Sequence, residues 1–192
     1  MDTSDIGRIL RGDAYASRLF SGVFARDVFV RFARSRPRVD YAAVFNTHDS
    51  GQPGEHWIAY VERDGEGWYF DSYGRPPSAY SDVAEALTAD RSVDVVLWNG
   101  ERLQGLSTTA CGDYCVLFVL LCCRGWTFER VLSRLARVPG SERRDHAVRA
   151  TLLRLYGPNA IATLRESDAN YVGRDRLHVA SVLESIGSRF PF

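Results

Sequence analysis

The sequence predicts an α+β fold, a mixed β-sheet packed on a central helix and followed by a helical C-terminal part. Three observations carry that expectation. Between residues 40 and 98, short runs rich in β-branched and aromatic residues are punctuated by Gly, Pro and Asp turn signals. The stretch CGDYCVLFVLLCCRG, from Cys111 to Gly125, is strongly apolar and longer than an ordinary strand, so it reads as a buried helix. The chain beyond it carries amphipathic helical patterning.

The elements follow in order. Thr3 or Ser4 is expected to cap a short docking helix with Ile6, Ile9 and Leu10 on one face, ended by Gly12. From Tyr15 to Arg38 apolar residues and arginines mix without a clean period and Pro37 breaks what precedes it, so loops with one short element are expected. Asp40–Asn46 reads as a strand, a polar loop holds Gly51, Pro53 and Gly54, and His56–Val61 opens the next strand. Arg63–Gly67 (RDGEG) is turn chemistry, and Trp68–Tyr73 returns as the hairpin partner, which sets His56 across from Asp71. After Pro76 and Pro77, Ser81 caps a helix to Ala89, Val93–Trp98 is a strand, and Gly105–Thr109 is a loop. The central helix starts at Cys111 and stops at Gly125. Helices over Thr127–Ala136, Ser141–Tyr156 (ended by Gly157-Pro158) and Leu177–Ile186 complete the chain. No repeat or linker divides the 192 residues, so one domain is expected, acting as a monomer.

Composition narrows the function classes. Basic and acidic residues balance at 24 each, so the net charge of a strong nucleic-acid or membrane-surface binder is missing. All 24 basic residues are Arg, which fits either a GC-rich coding sequence or avoidance of lysine-directed conjugation. The arginines between Arg31 and Arg38 read as a solvated face. The longest apolar run, Val116–Cys123, is far shorter than the roughly 20 residues of a membrane span, and no apolar leader opens the chain, so a soluble, intracellular protein is expected. The four cysteines, at 111, 115, 122 and 123, form no separated pairs, which points to reduced thiols rather than a disulfide framework. Three of them sit inside the apolar run as small hydrophobes, and no metal site is expected.

One cysteine stands apart. A cysteine at a helix N-terminus is favoured as thiolate, because unpaired amides and the helix dipole stabilise negative charge there, and Cys111 has that place. Gly112 beside it lets a substrate backbone approach. A thiol nucleophile needs a base, and the base needs a third group to orient it. Of the four histidines, His48 lies in a polar loop, His146 in a charged helical segment and His178 near a late helix. His56 alone combines a strand edge, a following aromatic, Trp57, and a carboxylate, Asp71, on the paired strand. Gln104 stands seven residues before Cys111, where its amide can join the Cys111 N–H around an oxyanion.

These residues resemble a known family. Asn46-Thr47, Gly54, His56-Trp57, Tyr69-Phe70-Asp71, Tyr73-Gly74, Gln104-Gly105, Ala110-Cys111-Gly112 and Cys115, in that order and spacing, resemble the adenovirus maturation protease, adenain, and more distantly the SUMO-specific proteases. The likeness runs from about Ile6 to Trp126. It implies a single-domain adenain/Ulp1-like cysteine protease fold and a cysteine endopeptidase. His56, Asp71, Gln104 and Cys111 would be catalytic, and Trp57, Gly54, Gly105 and Gly112 would bind substrate. It further implies viral precursor proteins as substrates, cut at Gly-containing sites during virion maturation, in the host nucleus and the virion.

The chain departs from adenain at three points. Asp71 stands where adenain has Glu. The stretch Arg91–Leu103 holds no cysteine for a disulfide-linked peptide activator, and the charge balance gives no support for a DNA cofactor. No cofactor is therefore required by the sequence. Two other readings share the residues: a deconjugase acting on ubiquitin-like conjugates, and a non-catalytic structural protein with a protease-derived fold.

Overall fold

The hairpin at the centre of the molecule is built by its turn. Asp64 and Gly65 both take left-handed backbone conformations (φ 52° and 82°), the requirement of a two-residue turn whose twist matches that of its strands. It joins β3 (Trp57–Arg63) to β4 (Glu66–Phe70), with Arg63 paired to Glu66. The computed structural model describes residues 1–35, 39–89 and 93–157. The helix expected over Leu177–Ile186, His178 and Pro158 lie outside them.

Around the hairpin, β2 (Tyr41–Asn46) pairs antiparallel with β3, while β1 (Phe20–Phe24) and β5 (Val95–Trp98) add parallel strands at the two edges, on β2 and β4. The result is one mixed five-stranded sheet in the order β1-β2-β3-β4-β5. All of β2 and the interior of β3 are buried, so apolar residues occur at consecutive positions and alternate between two cores. Ala42, Val44, Ala59, Val61, Trp68 and Phe70 face one way; Ala43, Phe45, Ile58, Tyr60 and Tyr69 face the other.

Against the first face lies α4 (Cys111–Cys123), buried from Cys111 to Cys122 because α1 (Thr3–Gly12), α5 (Phe128–Ala136) and α6 (Ser141–Tyr156) pack around it. A helix apolar all round needs such a jacket. Phe118 of α4 stacks on Phe70 of β4, with ring centroids 4.6 Å apart and 12° between planes. Gly125 (φ 84°) ends α4: its N–H donates to the Cys122 carbonyl and that of Trp126 to the Leu121 carbonyl, the double bond of a Schellman cap. The second face is covered by α2 (Arg26–Ser35) and α3 (Ser81–Thr88), with Phe29 stacked on Phe45 at 4.1 Å.

Several local expectations are corrected. The cap of α1 is Asp2, whose carboxylate accepts the Asp5 N–H at 2.9 Å, one residue before Thr3. α3 has Tyr80 at its N-cap with no side-chain cap bond; a 3-10 turn over Pro77–Ala79 delivers the chain extended at Tyr80, leaving Ser81 already helical. The segment expected to be loops with one short element instead holds a 3-10 turn (Ala16–Arg18), β1 and all of α2. On α2, Arg31 and Arg34 point outward, Arg31 pairing with Asp27 at 3.0 Å and Arg34 with Glu85 at 3.5 Å, while Phe29, Val30 and Ala33 turn inward. Among the described residues, no helix is long and apolar enough to cross a membrane.

Candidate active site

The site gathers just outside the ends of regular elements. β3 begins at Trp57 and β4 ends at Phe70, so His56 and Asp71 are each the first residue beyond the ladder. Continuing the Ala59–Phe70 register brings Asp71 level with Ile58 and Tyr73 level with His56. The expected direct opposition of His56 and Asp71 is therefore replaced by a diagonal one, within reach of long side chains on a twisted pair. His56 Nε2 and Asp71 Oδ1 lie 2.7 Å apart, both side chains buried. Tyr73 takes the facing position and stacks on the imidazole, with ring centroids 4.7 Å apart at 28°.

Asp71 is fixed from three directions. Its N–H donates to Asn99 Oδ1 at 3.0 Å and its carbonyl accepts from Asn99 Nδ2, so the first residue after β5 pairs both main-chain groups. Its Oδ1 also accepts the Tyr73 N–H at 2.7 Å, and its carbonyl accepts the Gly74 N–H at 2.7 Å. This Asx-type turn needs a left-handed residue at Gly74 (φ 74°), where a Cβ would meet the Glu101 carbonyl carbon at 2.6 Å. Asp71 Oδ2 is buried without a hydrogen-bond partner, so the imidazole is the carboxylate's one titratable partner in these contacts.

Cys111 is the first residue of α4, and Ala110 before it supplies no side-chain cap, leaving the first amides free for a ligand charge. The Cys111 side chain is the second partner of the buried imidazole, beside Asp71. Burial pulls the His56 pKa down. The hydrogen bonds and charges of Asp71 and Cys111 outweigh it and push the value up to about 9. Burial drives the thiols of Cys115 and Cys122 well above the ordinary value and that of Cys123 to about 11, so these three are structural cysteines.

Gln104 is fully buried. Its Oε1 accepts from Ser72 Oγ at 2.7 Å, and its Nε2 donates to the Thr108 carbonyl at 2.8 Å, with weaker contacts to Thr108 Oγ1 (3.3 Å) and Tyr73 Oη (3.4 Å). Its amide is thus turned to Thr108 and to the ring covering His56. The loop from Gln104 to Cys111 is held by Asp145 of α6, a buried carboxylate that accepts from Gly105 N–H (3.0 Å), Thr108 Oγ1 (2.6 Å) and Tyr114 Oη (2.8 Å).

The four residues expected to bind substrate divide into two pairs. Trp57 and Gly112 face each other: a Cβ on Gly112 would stand 3.3 Å from Trp57 Cδ1, and Met1 lies over both, its carbonyl accepting the indole N–H at 3.3 Å. Gly105 packs on Asp145 and Gly54 on Asn46, where Cβ atoms would come within 2.9 and 2.7 Å of side-chain atoms. These two glycines serve loop packing. The residues that sequence reasoning passed over as site components are Asn99, Asp145, Thr108, Ser72 and Met1, none of which carries a local signal. Tyr73 belonged to the matched pattern and could have been found from the hairpin register. Among the described residues, no group of three or more His, Cys, Asp or Glu could hold a metal ion.

No family model matches the sequence. The protein "Putative thiol protease R355" of Acanthamoeba polyphaga mimivirus is 27% identical over 103 residues, covering 50% of this chain and 34% of its own. Among solved structures, the ASFV pS273R protease is similar with a TM-score of 0.50 at 18% identity, over 75% of this chain and 64% of that one. Its selenomethionine form gives 0.46 at 18% identity, over 76% and 64%. The chain thus spans about a third of the mimivirus protein and less than two thirds of the ASFV protease. The fold is the Ulp1-like protease fold of pS273R, a mixed sheet with a buried helix carrying Cys111 at its start. The likeness is one of fold and singles out no feature of adenain.

Proposed function

We propose that this chain is a cysteine protease with Cys111 as nucleophile, His56 as base, Asp71 as its orienting acid, and Gln104 with the Cys111 N–H as oxyanion donors. The observation that supports it most is the buried imidazole held between Asp71 and the sulfur at the start of α4. Cys111 passes its proton to His56, and the thiolate attacks the scissile carbonyl carbon. The oxyanion takes the Cys111 N–H and one Gln104 N–H, released from its long contacts to Thr108 Oγ1 and Tyr73 Oη. His56 then protonates the departing amine, leaving a thioester. Water, deprotonated by His56, releases the acid product and returns the thiol.

The resemblance of the site residues to adenain supports substrates with glycine at the cut. Within this reading, the chain cleaves viral precursor proteins at Gly-containing sites. The same order of His56, Asp71, Gln104 and Cys111 equally favours a deconjugase acting on the glycine-ended tail of a ubiquitin-like protein. A peptide and a ubiquitin-like vinyl sulfone, offered to the same preparation, separate the two by which one labels Cys111. Cleavage of a Gly-containing peptide by wild type should vanish in Cys111→Ala; full activity in that variant would end the proposal.

A further inference from the structure

Beside His56 and Tyr73 opens a cleft of 640 Å³ that Trp57 does not line. Its arginines are not paired alike. Arg26 is matched by Asp49, which takes two of its N–H groups at 3.0 and 3.1 Å, and by Asp82 at 3.4 Å. Glu55 lies 3.1 Å from His48 Nε2. Two further arginines line the cleft, Arg75 and Arg102, both exposed and neither with a carboxylate partner among the described residues. Arg75 lies over the Tyr73 ring at 5.6 Å, and that ring stacks on His56, so an unneutralised guanidinium stands one ring away from the imidazole. At the rim, Leu106 is 75% exposed on the loop leading to Cys111.

The proposed reaction gives this cleft a side of the substrate. The leaving amine takes its proton from His56, so the residues after the scissile bond must leave past the imidazole. We propose that the cleft is the subsite for this leaving-group segment and that the segment is acidic, with an Asp or Glu side chain read by Arg75 and Arg102 and an apolar neighbour resting on Leu106. Guanidinium groups match carboxylates in two-pronged geometry. A nucleic-acid backbone fits less well, because basic and acidic residues balance at 24 each along the chain and two guanidinium groups in one cleft match one or two carboxylates rather than a run of phosphates. This inference rests on the cysteine-protease reading and extends it to the residues beyond the cut.

The test is digestion of a proteome-derived peptide mixture by the whole chain, with both sides of every Cys111-dependent cut read by mass spectrometry. Wild type should enrich Asp and Glu within the first few positions after the cut. In the doubly reversed Arg75→Glu, Arg102→Glu protein the ratio of acidic to neutral cuts, taken within one digest so that general losses cancel, should fall by about tenfold or more, roughly fivefold for each exposed pair. Cuts without acidic enrichment, or an enrichment that survives the reversal, would overturn the subsite. Arg75- and Arg102-dependent binding of a short DNA duplex with no acidic preference would reassign the cleft to nucleic acid and overturn it as well. A digest with no Cys111-dependent cuts would instead remove the protease reading on which it stands.

Discussion

Replacing Asp71 by Asn isolates the charge at the centre of the site. The variant keeps the shape: the amide oxygen can still accept the Tyr73 N–H and face His56 Nε2, and the other amide position lies where Oδ2 already has no partner. Only the negative charge goes. The rise of the His56 pKa from 6.5 to about 9 corresponds to about 3 kcal/mol favouring the protonated imidazole, against the opposing effect of burial. Loss of a directly bonded carboxylate should lower it by roughly 1–3 pH units, with Cys111 retaining the rest. The assay is an NMR titration of the His56 ring, followed by the alkaline limb of peptide hydrolysis, where the general acid is lost. Wild type should titrate near pH 9 and Asp71→Asn clearly lower. The sign for stability follows: a base whose pKa is raised by folding contributes fully below pH 6.5, and the contribution is lost as pH climbs through about 9. An imidazole titrating at the same pH in both proteins would refute the assignment of Asp71 as its partner.

Two further outcomes are expected. Iodoacetamide should alkylate Cys111 before Cys115, Cys122 and Cys123 in native protein, because burial holds those three thiols protonated; peptide mapping showing any of them leading would contradict the site. Asp145→Ala should destabilise by about 2 kcal/mol or more, since Gly105 N–H is left as a buried donor while Tyr114 Oη and Thr108 Oγ1 keep only their longer bonds to the Leu103 and Gly105 carbonyls. A denaturant midpoint that barely moves would show that the loop before Cys111 is held by other contacts.

What could be read from sequence follows the range of the interaction that fixes each element. α4 was legible because its apolar run, broken only by Gly112 and Asp113 in the first turn, is too long for an ordinary strand, and the β3–β4 hairpin because Asp64-Gly65 dictates its turn. The strands β2 and β5 were legible as β-branched and aromatic runs. β1 and α2 were not. Gly22 interrupts β1, the register shifts between Phe20 and Gly22, and the strand exists by pairing with β2, twenty residues later. α2 is fixed by Phe29 against Phe45 and Phe32 against Tyr41, contacts that a period obscured by arginines does not announce.

The site shows the same division. His56, Asp71 and Cys111 could be named because each carries a chemical type and lies next to a readable element, while Asn99, Ser72 and Asp145 act only through the folded chain. There is a physical reason for that placement. Within β2, β3 and β4 the alternation of side chains sends most residues into one of two largely apolar cores, where an ionisable group is costly unless it is paired. The polar groups of the site stand beyond the strand ends, where His56 precedes β3, Asp71 follows β4 and Asn99 follows β5. The sheet therefore sets the site by where its strands stop. Lengthening β3 or β4 by one residue would turn His56 or Asp71 toward a core and separate the imidazole from the carboxylate.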